Sequence, residues 1–270
     1  AALLVALLTL LLLACGSSPQ ARAPKPKATA NMGAMPGLPA WADRLKVRIV
    51  SPADQTTLTQ NTLELKLAFG GYQPNCLLAG TPVTKGTGHF HVLLDGVLVD
   101  MFCSSTVELS MQNVPPGHHT VTVVPALNDH ATVDMNSVSL HFNYQPSSPL
   151  PWIGPAQLGK PVLHITGPAN GQKVQGTFTM SVAVNDYQLS CALRGKAKVP
   201  GYGSWIVNLD TLNGPMGGMA TMADISCDST ITLSTEGMTP GQHAFIAYLA
   251  DDQQQPIVPL VSDQIVIDVG

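Results

Sequence analysis

The sequence predicts an all-β protein made of two antiparallel β-sandwich domains in tandem, and three observations support this prediction. Charged residues make up only 11% of the chain, whereas the turn formers Gly (24) and Pro (22) are abundant among its 270 residues. Short runs rich in Val, Thr and Leu alternate with these turn formers, as is typical of exported all-β proteins. The chain also repeats itself, because residues 46–144 and 161–270 read as two copies of one domain.

The duplication is carried by landmarks that recur in the same order in both copies. The matched pairs are YQPNC (72–76) with YQLSC (187–191), CSSTVELS (103–110) with CDSTITLS (227–234), and VPPGHHTV (114–121) with MTPGQHAF (238–245). A fixed order of several matches is the signature of an internal repeat. Residues 145–160 contain four prolines and are predicted to form a stiff linker between the copies.

Each copy contains six or seven predicted strands. In the first copy they are KVRIV, TLELKLAF, HFHVLLDG, TVELSM, HTVTVVPAL and SVSLHFNY, and in the second HITG, GTFTMSVAV, SWIVNLDT, TITLST, HAFIAYLA and QIVIDV. Alternating β-branched or aromatic residues, broken by Pro, Gly and Asn, predict these strands. Their number and spacing predict sandwiches that are immunoglobulin-like in outline.

The N-terminal segment LLLLAC (10–15) resembles the lipobox of bacterial lipoproteins. The resemblance implies that residues 1–14 are a signal peptide and that Cys15 becomes the lipidated first residue. It implies a protein outside the cytoplasm whose partner is the membrane that holds its lipid anchor. Residues 15–45 are then a flexible tether. The alternative is a short transmembrane or core helix, although the apolar run is shorter than the roughly 20 residues that span a bilayer.

The five cysteines fit this interpretation. Lipidation of Cys15 leaves four, which occupy matching places in the two copies. We predict the disulfides Cys76–Cys103 and Cys191–Cys227, each contributing on the order of 3 kcal/mol. Two thiolate metal sites are the alternative, but these cysteines lack the C-x-x-C spacing of such sites.

The copies differ in their histidines. The first copy holds six of the eight, at positions 89, 91, 118, 119, 130 and 141. Aligning GTGHFHVLLDG (86–96) with GYGSWIVNLDT (201–211) places Ser204 and Ile206 where the first copy has His89 and His91. The scaffold was therefore kept while the imidazoles were lost.

His89 and His91 predict a metal site. Two residues apart on a strand, they share one face with Cα atoms about 6.6 Å apart, and two imidazoles so placed can hold one ion. A third ligand would come from His130, His119 or His118. The alternative is that His89 and His91 hydrogen-bond to backbone or carboxylate groups at a sheet rim.

His119 has a competing structural interpretation. Its counterpart His243 persists in the copy that lacks the paired histidines. A shared role at the P-G turn is therefore predicted for these two residues.

The segments GTGHFHVLLDG, PPGHHTVTVV, NDH and SVSLHF are similar to an uncharacterised bacterial family of exported domains with the pattern G-x-G-H-x-H, P-P-G-x-H-T, D-x-x-H. On that pattern the family positions are His89, His91, His119 and His130, and His118 is an extra. The resemblance covers roughly residues 86–143. It implies export and fold rather than an activity.

A second soft-metal signal is PMGGMATM (215–222), which spaces Met216, Met219 and Met222 three residues apart. Thioethers select soft ions such as Cu(I), so the Met spacing beside a His-rich domain favours copper over zinc. The alternative is a loop in which Met serves as flexible apolar filler.

Composition and motifs exclude several functions. A net charge of −4 argues against nucleic-acid binding. The chain has no G-x-S-x-G nucleophile motif, so we predict that it is not an enzyme, with a metal-dependent hydrolase as a third hypothesis. The first hypothesis is copper handling, and the second is a metal-free structural or interaction module, such as an accessory subunit of an envelope complex.

Overall fold

The computed structural model describes residues 37–213 and 215–270. The predicted signal peptide, the predicted lipidation site Cys15 and most of the predicted tether lie outside the described residues. Within the described part of the chain, no helix is long and apolar enough to cross a membrane. Its helices are 3-10 turns at Ala42–Arg44, Cys76–Leu78, Asp134–Asn136, Cys191–Leu193 and Pro215–Thr221.

The first domain is a sandwich of two sheets. One sheet has the order β1-β3-β7, with β1 at Lys46–Ser51, β3 at Thr62–Gly70 and β7 at Thr106–Ser110. The other has the order β2-β9-β8-β5-β4, with β2 at Thr56–Leu58, β9 at Val138–Tyr144, β8 at Gly117–Ala126, β5 at Thr87–Leu94 and β4 at Gln73–Pro74. Strand β6 (Val97–Phe102) also pairs with β5, antiparallel.

The second domain repeats this arrangement strand for strand. Its first sheet is β10-β12-β16, with β10 at Val162–Gly167, β12 at Thr177–Asn185 and β16 at Thr230–Ser234. Its second sheet is β11-β18-β17-β14-β13, with β11 at Lys173–Val174, β18 at Ser262–Val269, β17 at Gly241–Ala250, β14 at Tyr202–Leu209 and β13 at Gln188–Leu189. Strand β15 (Met222–Ser226) pairs with β14 as β6 pairs with β5. Both domains are therefore immunoglobulin-like β-sandwiches, as predicted.

Alternation along β5 separates the domain core from the site. Phe90, Val92 and Leu94 point between the two sheets and belong to the core of the first domain. His89 and His91 point to the opposite, outer face of the same sheet, because successive side chains of a strand alternate. Both are nevertheless buried.

Both predicted disulfides are present. Cys76 pairs with Cys103 across a Cα–Cα distance of 5.7 Å, and Cys191 pairs with Cys227 across 5.2 Å. Each joins the 3-10 turn before a central strand to the residue that follows the hairpin partner of that strand. Two structural disulfides indicate a protein that folds in an oxidising compartment outside the cytoplasm.

The first domain begins before the predicted tether ends. Ala42 and Leu45 are almost fully buried and pack against Leu127 and Val133 in a small apolar cluster. The prediction of a tether over residues 15–45 rests on the abundance of Ser, Pro, Ala and Lys in residues 16–40. Ala42 and Leu45 instead pack against the loop that follows β8 and belong to the folded domain.

The linker is held by both domains. In the first domain, the side-chain amide of Asn113 exchanges hydrogen bonds with the backbone of Ile153, at 2.8 and 2.9 Å. The amide N–H of Ala156 donates to the carbonyl of Pro200 in the second domain. These contacts agree with a stiff connection.

Candidate metal centre

Three imidazoles converge in the first domain. Nε2 of His89, Nε2 of His91 and Nδ1 of His130 form a triangle whose three sides are each 3.1 Å. No other residue type contributes to this group within the described part of the chain. Two of the residues are neighbours on β5, whereas the third comes from about 40 residues further along.

The loop after β8 brings His130 to the pair. Its backbone turns back at His130, which has a left-handed φ of 62° and donates its N–H to the Leu127 carbonyl. The amide of Leu127 in turn donates to the carbonyl of Ala131. Because His89 lies opposite Ala126, the last residue of β8, this tight loop lies directly beside the histidine pair.

The three rings are buried and neutral. Their exposed fractions are 0% for His89, 4% for His91 and 1% for His130. Burial lowers the pKa of each imidazole, and the neighbouring rings lower the pKa of His89 and His91 further. Neutral imidazole is the form that ligates metals.

The tautomer of His130 follows from its second contact. Its Nε2 lies 2.7 Å from the carbonyl oxygen of Met222, on β15 of the second domain. A carbonyl only accepts, so Nε2 carries the proton and the lone pair of Nδ1 faces the other two rings. A hydrogen bond that fixes the ring in this way is usual for a metal-ligating histidine. The buried Nδ1 of His89 has no hydrogen-bond partner among the described residues.

The triangle fits a metal ion. Its centre lies about 1.8 Å from each nitrogen, the side divided by the square root of three. An ion at the usual distance of about 2.0 Å from imidazole nitrogen could therefore be held by His89, His91 and His130 together. Three nitrogens on one point cannot all make linear hydrogen bonds to one another, so the arrangement suits an ion better than a hydrogen-bond network.

Two of the candidate ligands lie elsewhere. His119 is buried at the start of β8, where Nδ1 is 2.7 Å from Asp95 Oδ2 and Nε2 is 2.8 Å from the Pro115 carbonyl. His118 points to the other side of that strand and is exposed. Through these two contacts His119 stabilises the turn that precedes β8.

The second domain repeats these turn contacts. There His243 binds Asp210 and the Thr239 carbonyl, each at 2.8 Å. Of the four histidines 89, 91, 119 and 130, three therefore belong to the cluster and one belongs to the turn.

Among the described side chains of the predicted methionine set, Met219 and Met222 have different surroundings. Met222 is 4% exposed, and its side chain packs with Ile206 and Ile225 in an apolar cluster. Met219 is exposed. The side chain of Met216 lies outside the described residues. Met222 takes part in the histidine site through its backbone carbonyl.

Sequence reasoning missed the counterpart of His130 in the second domain. The isolated bridges Ala126–Thr132 and Ala250–Pro256 place Gln254 at the position of His130. Gln254 has a φ of 61°, nearly that of His130. Aligning TVVPALNDH (122–130) with IAYLADDQQ (246–254) would have found it.

Comparison with protein-family models found no match, and neither did comparison with curated proteins. Solved structures similar to this chain include fibronectin(III)-like modules of Clostridium thermocellum CbhA, at 11% identity, covering 83% of this chain and 93% of that one with a TM-score of 0.26. The two tandem V-type regions of VCBP3, a v-region-containing chitin binding protein, are 9% identical, with coverage of 84% and 99% and a TM-score of 0.20. Dimeric latent PorU from Porphyromonas gingivalis is 10% identical, and the match covers 87% of this chain but only 22% of PorU, with a TM-score of 0.25. At these identities and TM-scores the matches carry no conclusion about the function of this chain.

Proposed function

We propose that this protein is a lipid-anchored, extracytoplasmic metal-binding protein that handles copper through His89, His91 and His130, without catalysis. The observation that carries the proposal is the convergence of three buried imidazole nitrogens on one point. Burying three polar rings on the outer face of a sheet is costly unless they gain a partner. A bound ion is a partner that all three can share.

The ligand set favours Cu(I). All three ligands are neutral, so a divalent ion would bring two uncompensated positive charges into a buried site, whereas Cu(I) brings one. Zinc sites of this type have three protein ligands and an open position for water, and their structural counterparts have four ligands. Burial of all three rings instead favours an ion that accepts three ligands.

The anchor belongs to the same proposal. The lipobox-like segment ending at Cys15 supports attachment to an envelope membrane. The paired cysteines of both domains support a location where disulfides persist. An ion-binding domain tethered there would acquire copper outside the cytoplasm or pass it to an envelope partner.

The proposal is tested by titrating the purified protein with Cu(I) and Zn(II) against competing chelators. We expect one equivalent of Cu(I) to bind. His130→Asn should weaken that binding at least 100-fold, more than the 10–100-fold typical of residues that only orient a ligand. Asn tolerates the left-handed backbone of position 130, so the loop is retained.

His118→Asn is the matched control, because this histidine is exposed and outside the cluster. It should leave the affinity unchanged. Equal affinity in the wild type and His130→Asn would contradict the assignment of the metal site to His89, His91 and His130. Absence of any binding would favour the metal-free interaction module instead.

A further inference from the structure

The same contact between the domains occurs twice. In each case, a residue in the loop after β8 or β17 donates a hydrogen bond to the backbone of the other domain. The ring of His130 donates from Nε2 to the Met222 carbonyl on β15 of the second domain. In return, Nε2 of Gln254 donates to the carbonyls of Leu98 and Val99 on β6 of the first domain, at 3.1 and 2.5 Å. Because Gln254 corresponds to His130 and β6 to β15, the contact has approximate two-fold symmetry.

Two glycines allow the backbones of the two domains to approach closely beside these hydrogen bonds. Gly80 and Gly195 follow the first cysteine of each disulfide by four residues and have φ values of 76° and 72°. A Cβ on Gly80 would lie 2.8 Å from the Met222 oxygen, and one on Gly195 would lie 2.6 Å from Val99 Cγ2. Neither position admits a side chain, so close approach of the domains is built into both copies.

One ion pair across the interface has no counterpart among the described residues. Arg194 of the second domain binds the carboxylate of Asp100 on β6, and both side chains are largely buried. Ala79 occupies the equivalent position in the first domain. Separation of the domains would leave each buried charge without its partner, so we expect this pair to favour the docked arrangement.

We infer that the second domain is a positioning element for the metal centre of the first, so that metal binding and domain docking are coupled. The inference rests on the proposed function. The Met222 carbonyl holds the proton of His130 on Nε2 and keeps the lone pair of Nδ1 toward His89 and His91. If the domains separate, Nε2 loses this acceptor and the ring can rotate or change tautomer, so the site loses its third ligand.

The coupling is reciprocal. If docking raises the metal affinity, the metal must favour docking by the same factor. A domain without any of the three ligands is thereby tied to the site through one backbone carbonyl. The copy that lacks counterparts of the three ligands still contributes to binding.

The test weakens docking at the symmetric contact that carries no ligand. Gln254→Asn shortens the side chain by one methylene and removes its hydrogen bonds to β6, while Asn tolerates the left-handed φ. We expect the affinity for Cu(I), measured by chelator competition, to fall about tenfold. Gln255→Asn is the matched control, because Gln255 is the exposed next residue of the same loop, and its affinity should be unchanged.

A second readout is hydrogen exchange of the intact protein with and without Cu(I). Loading should slow exchange of amides in β15 (Met222–Ser226) in the wild type and less so in Gln254→Asn. Unchanged affinity in Gln254→Asn, an equal loss in Gln255→Asn, or unaltered exchange in β15 would each overturn the coupling. A wild type that binds Cu(I) through His130 in those cases leaves the proposed function standing, whereas a wild type that binds no Cu(I) overturns both.

Discussion

The two domains share one scaffold but fill the same place on it differently. On the outer face of β5 the first domain has three imidazoles. On the outer face of β14 the second domain has an apolar cluster of Ile206, Met222, Ile225 and Ala250, with Tyr248 packed against it. The register of the strands is identical, since Ser204 lies opposite Ala250 as His89 lies opposite Ala126. Fold and site are therefore separable, and a duplicated domain can keep one without the other.

The comparison predicts that the second domain can be given a metal site. The set Ser204→His, Ile206→His and Gln254→His supplies the three ligands, and Tyr248→Val restores the small residue that lies opposite His91 as Val124. The imidazole at position 254 would donate to the β6 carbonyls that Gln254 contacts now. We expect the stoichiometry of Cu(I) to rise from one to two equivalents.

Metal analysis and chelator competition measure this stoichiometry. The control is the same protein with Tyr248→Val alone, which should bind one equivalent. A folded variant that still binds only one would show that the site needs more than these four positions.

Without metal, we expect the histidine cluster to add nothing to the free energy of unfolding. Three nitrogens at 3.1 Å cannot all be satisfied by one another, so His91→Ile, the residue of the second copy, should leave the metal-free free energy of unfolding unchanged or raise it by about 1 kcal/mol. The stabilisation that Cu(I) adds should vanish. Urea unfolding with and without Cu(I) checks both.

The reverse exchange provides the matched control. Ile206→His buries a lone imidazole among apolar side chains and should cost about 2 kcal/mol. A cost of that size for His91→Ile as well would indicate that the histidines form a stabilising core cluster instead of a ligand set.

The sequence predicted the sandwiches, both disulfides and the pair on β5, because these depend on local alternation or on matching positions in a repeat. His89 and His91 share a face whatever the rest of the chain does. The third member of the cluster was one of three candidates, because only the loop after β8 decides which histidine returns to β5.

The contact between the domains could not be predicted from the local sequence. The carbonyl of Met222 carries no side-chain signature, and Gly80 and Gly195 read from sequence as ordinary turn residues. The apolar residues Ala42 and Leu45 show the same limit, since their burial depends on a loop more than 80 residues away.

The smallest expected effect concerns the turn histidine that both copies have, which is His119 in the first domain and His243 in the second. Nδ1 of His243 meets the Asp210 carboxylate and Nε2 meets the Thr239 carbonyl, so both nitrogens face acceptors and the doubly protonated ring fits best. Burial lowers the pKa of His243, but the hydrogen bonds to Asp210 and to the Thr239 carbonyl outweigh it and leave the pKa above 6.5. A raised pKa in the folded state means that the protonated ring stabilises the fold.

That stabilisation is fully present below pH 6.5 and is lost as the pH rises through the pKa of the folded state. We therefore expect His243→Gln to lower the free energy of unfolding by about 1 kcal/mol at pH 5.5 and by less at pH 8, measured by urea unfolding. A difference that grows with pH would contradict a protonated ring at this turn. Cu(I) affinity should stay unchanged, because His243 holds a turn of the second domain and is not one of the three histidines proposed to bind the ion.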